Sequence, residues 1–297
     1  MKITCVTGRV ILSGLCLSAG LLAGCAGEPA GSVAAPAPVA VEKTAPAASA
    51  PARDWPAIIH KFAIQDGCQD AQADMRLSGR DNEGRSVQIS FRVQRKYMAD
   101  KTATLLVVTA PREETDKALL AIETPAGPTE AVSYLSGLKK LARFKSGTLR
   151  DFHGQKVYIQ ELLGMELNKY EVAGAEPASE NGQALTRVSL TGKTGYELAF
   201  PRADIFVRDN AAGEIEPMRC EFFDAKGKLL RRVKINEVKK IQNYRTITSV
   251  EIEDVTNGRR VRLETTNVKY DQKPADNLFT EAHLTKLITD AGKKLIE

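Results

Sequence analysis

The chain has 297 residues, enough for one or two domains and for a core that needs neither a metal nor many disulfides. Hydrophobic residues make up 43% and charged residues 27%, an ordinary balance for a globular protein. The net charge is +5, but Lys2 and Arg9 fall in the N-terminal leader. No Lys/Arg block with interleaved aromatics occurs, which argues against nucleic acid as a partner.

Lys2 and Arg9 precede an uncharged apolar run from Val10 to Leu22. That run is shorter than the roughly 20 residues a helix needs to span a bilayer, and it has the length of a signal-peptide apolar region. It ends in Leu22-Ala23-Gly24-Cys25, which looks like a lipobox. The small residues let the backbone enter a peptidase cleft, and the Cys25 thiol is the nucleophile that accepts diacylglycerol. Residues 1–24 are therefore expected to be a lipoprotein signal peptide. Cys25 is expected to be the lipidated N-terminus, anchored to a membrane because two or more acyl chains hold stably. Ala26, rather than Asp, follows the cysteine; by resemblance to bacterial sorting rules this implies the outer membrane, with the protein facing the periplasm. Residues 26–53 are more than half Ala and Pro and contain no aromatic. Such a segment cannot bury enough apolar area to offset its ordering entropy, so 25–53 reads as a lipidated tether.

Residues 54–297 read as the folded domain. Asp54-Trp55-Pro56 opens a short helix with Asp54 as cap, Ile58, Ile59 and Phe62 on one face and Gly67 as stop. Strands dominate from there. Val87, Ile89, Phe91 and Val93 alternate with polar residues, giving one apolar and one wet face. Leu106 and Val108 read inward as well. Tyr196, Leu198 and Phe200 repeat the alternation, as do Met218, Cys220 and Phe222, Val233 and Ile235, Val250 and Ile252, and Val261 and Leu263. Turns are expected at Asp81–Gly84, Asn181-Gly182, Asp224–Gly227 and Asn257-Gly258. Residues 159–171 carry helical spacing. A C-terminal helix shows a stripe of Leu284, Leu287, Ile288, Ala291 and Leu295, with Thr280 as cap. The expected fold class is mainly β (α+β): one strongly curved antiparallel sheet with helices from the two ends of the domain. Those helices either fill the concave face or leave an apolar cavity.

The order of motifs resembles the LolA-like outer-membrane lipoprotein-sorting family over about residues 90–285. Leu119-Ala121-Ile122, then Tyr134-Leu135-Ser136-Gly137-Leu138-Lys139-Lys140-Leu141-Ala142-Arg143, looks like a family strand pair with a Y-L-P-x-L-K-K-x-R stretch. Phe152-His153-Gly154, Tyr158 and Glu161-Leu162-Leu163-Gly164 look like its F-x-G-x-D-x-x-Y-x-D-L segment. Tyr170-Glu171-Val172, Cys220–Leu229, Asn257–Arg260 and Asn277–Thr280 complete the series. Ser136, Gln155 and Gln160 depart from the family's Pro and acidic positions. The resemblance implies an incomplete β-barrel of the LolA/LolB type with helices in its mouth. It also implies an interior for lipid or lipoprotein acyl chains, and a lipid or efflux-type transporter as a candidate partner. On that reading the cavity would be lined by Val87, Ile89, Phe91, Val93, Leu106, Val108, Tyr196, Leu198, Phe200, Met218 and Phe222.

Chemistry-bearing residues are sparse. His60, His153 and His283 have no metal spacing. No G-x-S-x-G, phosphate-binding glycine loop or H-E-x-x-H occurs, so neither enzymatic activity nor a cofactor is expected. Cys68 and Cys220 sit in an oxidising compartment; a disulfide between them and two buried thiols are both open. Two functions are carried forward. One is an outer-membrane-anchored protein that binds a hydrophobic ligand for lipoprotein sorting or lipid transfer. The other is a non-enzymatic interaction or sensor module on the same fold.

Overall fold

In the computed structural model the described residues are 53–296, apart from 64–66, 82, 125–126, 128, 136–139, 146, 153–154, 165–166, 197 and 212. The leader, Cys25 and all of the tether but Arg53 lie outside the described residues, as does His153. A helix, α1 (Trp55–Ala63), leads into six strands: β1 (Asp70–Arg80), β2 (Ser86–Tyr97), β3 (Thr102–Ala110), β4 (Ala118–Glu123), β5 (Glu130–Leu135) and β6 (Lys140–Lys145). A crossover follows, made of the hairpin β7 (Leu149–Phe152) and β8 (Gln155–Tyr158), the short helix α2 (Ile159–Leu163) and a 3-10 turn, Leu167–Lys169. The chain then forms β9 (Tyr170–Glu180), β10 (Gln183–Gly192), β11 (Arg202–Asp209), β12 (Ile215–Phe223), β13 (Leu229–Ile241), β14 (Tyr244–Asp254), β15 (Arg259–Tyr270) and the helix α3 (Glu281–Ile296). No helix among the described residues is long and apolar enough to cross a membrane.

Thirteen strands make one antiparallel sheet in the order β6-β5-β4-β3-β2-β1-β15-β14-β13-β12-β11-β10-β9. The first and last strands of the domain pair in the middle, with Leu77 opposite Leu263. β6 and β9 are the two edges, so the sheet is not closed. Sequence chemistry sets the register through the turns. Asp81 Oδ1 accepts the N–H groups of Glu83 and Arg85, each at 2.9 Å, and Asp224 Oδ1 does the same for Lys226 and Lys228, each at 2.9 Å. Each aspartate is followed three residues later by a glycine of positive φ, Gly84 at 79° and Gly227 at 81°. Asn181 and Gly182, both of positive φ, make the expected two-residue turn, and Gln242 and Asn243 make another that carries no glycine signal.

Inner-face apolar residues run from Ala131 on β5 to Val233 on β13 and share one cluster with Val157, Ile159, Leu162 and Leu163 of the crossover. Laid flat at about 4.8 Å per strand, those seven steps would cover roughly 34 Å. A hairpin and a one-turn helix can serve that span only because the sheet bends around them. Beyond Val233, α1 covers β10–β12: Trp55 and Ile59 pack with Val188, Leu190, Ile205 and Phe222, and Asp54 Oδ1 accepts the Ala57 N–H at 3.1 Å.

Two expectations need correction. Tyr196, Leu198 and Phe200 are not a strand; they lie in the loop between β10 and β11. Gly195, at a φ of 93°, and Pro201, which has no N–H to donate, interrupt the ladder. The C-terminal helix does not fill the inner face. It lies on the outer one, where Leu284 and Ile288 pack on Ala103, Leu105, Leu120, Val132 and Tyr134. β3 and β4 are apolar on both sides, Leu106 facing in and Leu105 out, so each side needs its own cover. Leu284 is fully buried in that outer layer. Leu284→Ala is expected to lower the unfolding free energy by about 2–5 kcal/mol in urea titration, with the sheet's far-ultraviolet dichroism unchanged in buffer.

Candidate functional site

The region that the resemblance marks as a ligand chamber is the space between the inner face and the crossover. Ile89, Phe91, Val93, Leu106 and Val108 all lie there, each buried in one cluster with the crossover side chains. Phe200 and Phe222 are also buried, but in the second cluster beneath α1, with ring centroids 5.2 Å apart. Leu198 packs against that cluster as a half-buried neighbour. Val87, Tyr196 and Met218 are half-buried and belong to neither cluster. The expected lining is therefore two packed groups, and at the seven buried positions the side chains meet protein.

The crossover is held down by a polar cluster that sequence reasoning passed over. Arg231 points inward from β13 with 4% of its side chain exposed. Its Nη1 lies 2.7 Å from Asp254 Oδ2 on β14, its Nε lies 3.4 Å from Glu161 Oε1 on α2, and its guanidinium sits 5.0 Å from the Tyr158 ring centroid. Glu161 Oε2 also accepts the Tyr158 N–H at 2.7 Å, which caps the start of α2. Tyr158 in turn meets Phe200 edge-on at 4.9 Å. The sheet thus supplies the cation, the crossover supplies the carboxylate, and the pair bridges the two apolar clusters. The available signal was Arg231 itself, an arginine at an inward register position opposite Phe222.

Burial pushes the Glu161 carboxyl up to about 7, against the opposing pull of Arg231 and of the Tyr158 N–H. Asp254, despite its own burial, is held below the usual range by the Thr256 hydroxyl and Arg231. Burial also raises the thiols, Cys68 to about 11 and Cys220 to about 12, so neither is a thiolate nucleophile near neutral pH. The two cysteines are separate buried thiols, not a bonded pair. Cys68 precedes β1 and Cys220 lies on β12, four strand positions away, or about 19 Å along the sheet. His60 is exposed on α1 and His283 half-buried on α3. No group of His, Cys, Asp and Glu among the described residues could hold a metal.

A second polar feature lies at the rim of the crossover. Gln155 on β8 is 1% exposed, and neither atom of its amide has a hydrogen-bond partner among the described residues. Its Oε1 rests against Gly79 on β1, where a Cβ would come within 2.2 Å. Beside it is a pocket of about 20 Å³ lined by Arg80, Gln155, Lys156, Arg231, Ile252, Asp254, Arg259, Arg260 and Val261. Arg80, Arg259 and Arg260 also line an open groove of about 790 Å³ between the β1–β2 and β14–β15 turns.

Comparison with known proteins bears on the fold. A family model described only as an uncharacterized protein matches residues 100–286. No curated protein matches the chain by sequence. A DUF1329 family protein from Desulfovibrio piger superposes with a TM-score of 0.67 at 18% identity, covering 77% of this chain and 96% of that one. A domain assigned to outer-membrane lipoprotein sorting from Vibrio parahaemolyticus gives 0.65 at 21% identity, covering 74% and 93%. A LolA-superfamily protein from Nitrosomonas europaea gives 0.59 at 16% identity, covering 77% and 98%.

The buried carboxyl has a pH signature. Because Glu161 binds its proton more tightly folded than unfolded, its neutral form adds stability that is complete below about 4.5 and is lost as pH rises to about 7. Thermal melts of the wild type and Glu161→Gln from pH 4 to 8 should therefore diverge, the wild type losing midpoint relative to the variant between those two values. Parallel curves would mean that the carboxyl titrates alike in both states.

Proposed function

We propose a function from one premise: this chain belongs to the family matched over residues 100–286, and it has the LolA-like lipoprotein-sorting fold. It is a non-enzymatic binder of apolar chains, lipid or lipoprotein acyl groups, that works at the periplasmic side of the outer membrane. Lipid on Cys25 anchors it there, and residues 26–53 give it reach. The observation that carries this reading is the inner face itself, an apolar surface running across most of the sheet and covered by the crossover and α1. The described arrangement is the closed one. Ligand enters as the crossover lifts, and an acyl chain takes over its apolar contacts at about 25 cal/mol per Å² buried.

The Arg231–Glu161 pair sets how firmly the cover sits. Removing one partner of a buried pair typically costs about 3–5 kcal/mol. When the crossover lifts, Arg231 keeps Asp254 at 2.7 Å, so the cost of opening falls on the contacts of Glu161. The close packing of the inner face is also what favours the second reading, an interaction or sensor module whose interior stays shut.

Titration of the purified full chain with a fluorescent fatty acid separates the two. Saturable emission at micromolar probe, displaced by unlabelled palmitate, is expected. Arg231→Met should lower the melting temperature and raise the apparent affinity several-fold, because a larger fraction of the chain is then open. A variant that melts lower yet takes up no probe would support the closed module instead.

A further inference from the structure

We propose that the rim pocket beside Gln155 binds an oxyanion of the phosphate class, supplied either by a phospholipid headgroup or by free phosphate. The phospholipid source rests on the acyl-binding reading above; the oxyanion site does not. Three independent observations converge on it. The first is charge: Arg80, Lys156, Arg231, Arg259 and Arg260 line the pocket against a single carboxylate, Asp254, which is committed to Arg231 at 2.7 Å. The second is availability. Arg260 is matched by Glu253 at 2.9 Å, but Arg80 and Lys156 have no carboxylate partner among the described residues. Arg80 is held in place by donating from Nη1 to the Gly84 carbonyl at 2.8 Å.

The third observation is the Gln155 amide, almost wholly buried at the pocket wall with its donor and acceptor both unused among the described residues. Burying an amide without a partner costs about 1–3 kcal/mol, so a native chain normally supplies one. The space of about 20 Å³ admits a single small polar atom group: one oxygen of an oxyanion, or one water. Guanidinium groups match phosphate through paired N–H donors, and an amide N–H adds a neutral donor to the same oxygen set. The pocket also carries Ile252 and Val261, both members of the inner apolar cluster. An oxyanion seated here would therefore stand at the edge of the surface that takes acyl chains, with the open groove holding the rest of a headgroup in water.

The test uses the full chain in a mild non-ionic detergent and three probes: inorganic phosphate, dihexanoyl phosphatidylglycerol below its micellar concentration, and dihexanoylglycerol, which lacks phosphate. Arg80 and Lys156 are exposed, so Arg80→Gln/Lys156→Gln is expected to melt like the wild type. Calorimetric titration should show phosphatidylglycerol binding that weakens about tenfold or more in the double variant, while dihexanoylglycerol is unaffected. Inorganic phosphate binding with the same loss would identify free phosphate as a sufficient ligand; phosphatidylglycerol alone would identify the headgroup. Phosphate binding without any acyl uptake would retain this site and remove the acyl-binding reading. Acyl uptake indifferent to phosphate and to both substitutions would do the reverse, leaving the Gln155 amide to a resident water.

Discussion

A wide apolar surface in water is the constraint on which everything else in this molecule depends. The sheet has thirteen strands and presents apolar side chains inward from most of them. Left wet, such a surface would cost about 25 cal/mol for each Å². The chain covers it with few residues: a hairpin of two four-residue strands, a five-residue helix and the nine residues of α1. Such sparse cover suffices because the sheet bends, so that strands distant along it face the same few side chains.

Topology makes the cover unavoidable. The chain begins in the middle of the sheet at β1, meanders to the edge at β6, and must restart at the opposite edge, β9, before meandering back to pair β15 with β1. The connection between the edges crosses the inner face. Val157, Ile159, Leu162 and Leu163 supply apolar contacts and Glu161 a polar one. A connecting segment is thereby also a closing segment. Its buried carboxylate sits where the sheet offers Arg231, and Asp254 fixes that arginine from the neighbouring strand.

Much of the sheet could be read from the sequence, because period-two alternation and Asp-x-x-Gly turns are local signals. β2 and β12 to β15 follow from them. The loop at 193–201 imitated that alternation, and only the Gly195 and Pro201 punctuation marked it as irregular. The placement of α3 was harder to see, since it depends on which face of β3 and β4 needs cover. The clue lay in their unbroken apolar runs, Leu105-Leu106-Val107-Val108 and Leu119-Leu120-Ala121-Ile122, which state that both faces are buried. Less of the candidate site was legible. The apolar positions Ile89, Phe91, Val93, Leu106 and Val108 are legible as candidate lining, but the alternation leaves open whether protein or a cavity faces them; in the described arrangement the crossover does. Arg231 escaped notice because a lone polar residue at an inward position acquires meaning only from partners far away in sequence, and Gln155 stood out only as a departure from an acidic family position.

The central claim is that the crossover gives up its contacts with the inner face when an apolar chain enters. Hydrogen exchange followed by mass spectrometry, on the full chain with and without saturating oleate, addresses it directly. Amides of residues 155–163 should exchange faster with oleate bound, while those of β1 and β15 keep their protection. Bound oleate with unchanged protection in 155–163 would place the ligand elsewhere and contradict the account.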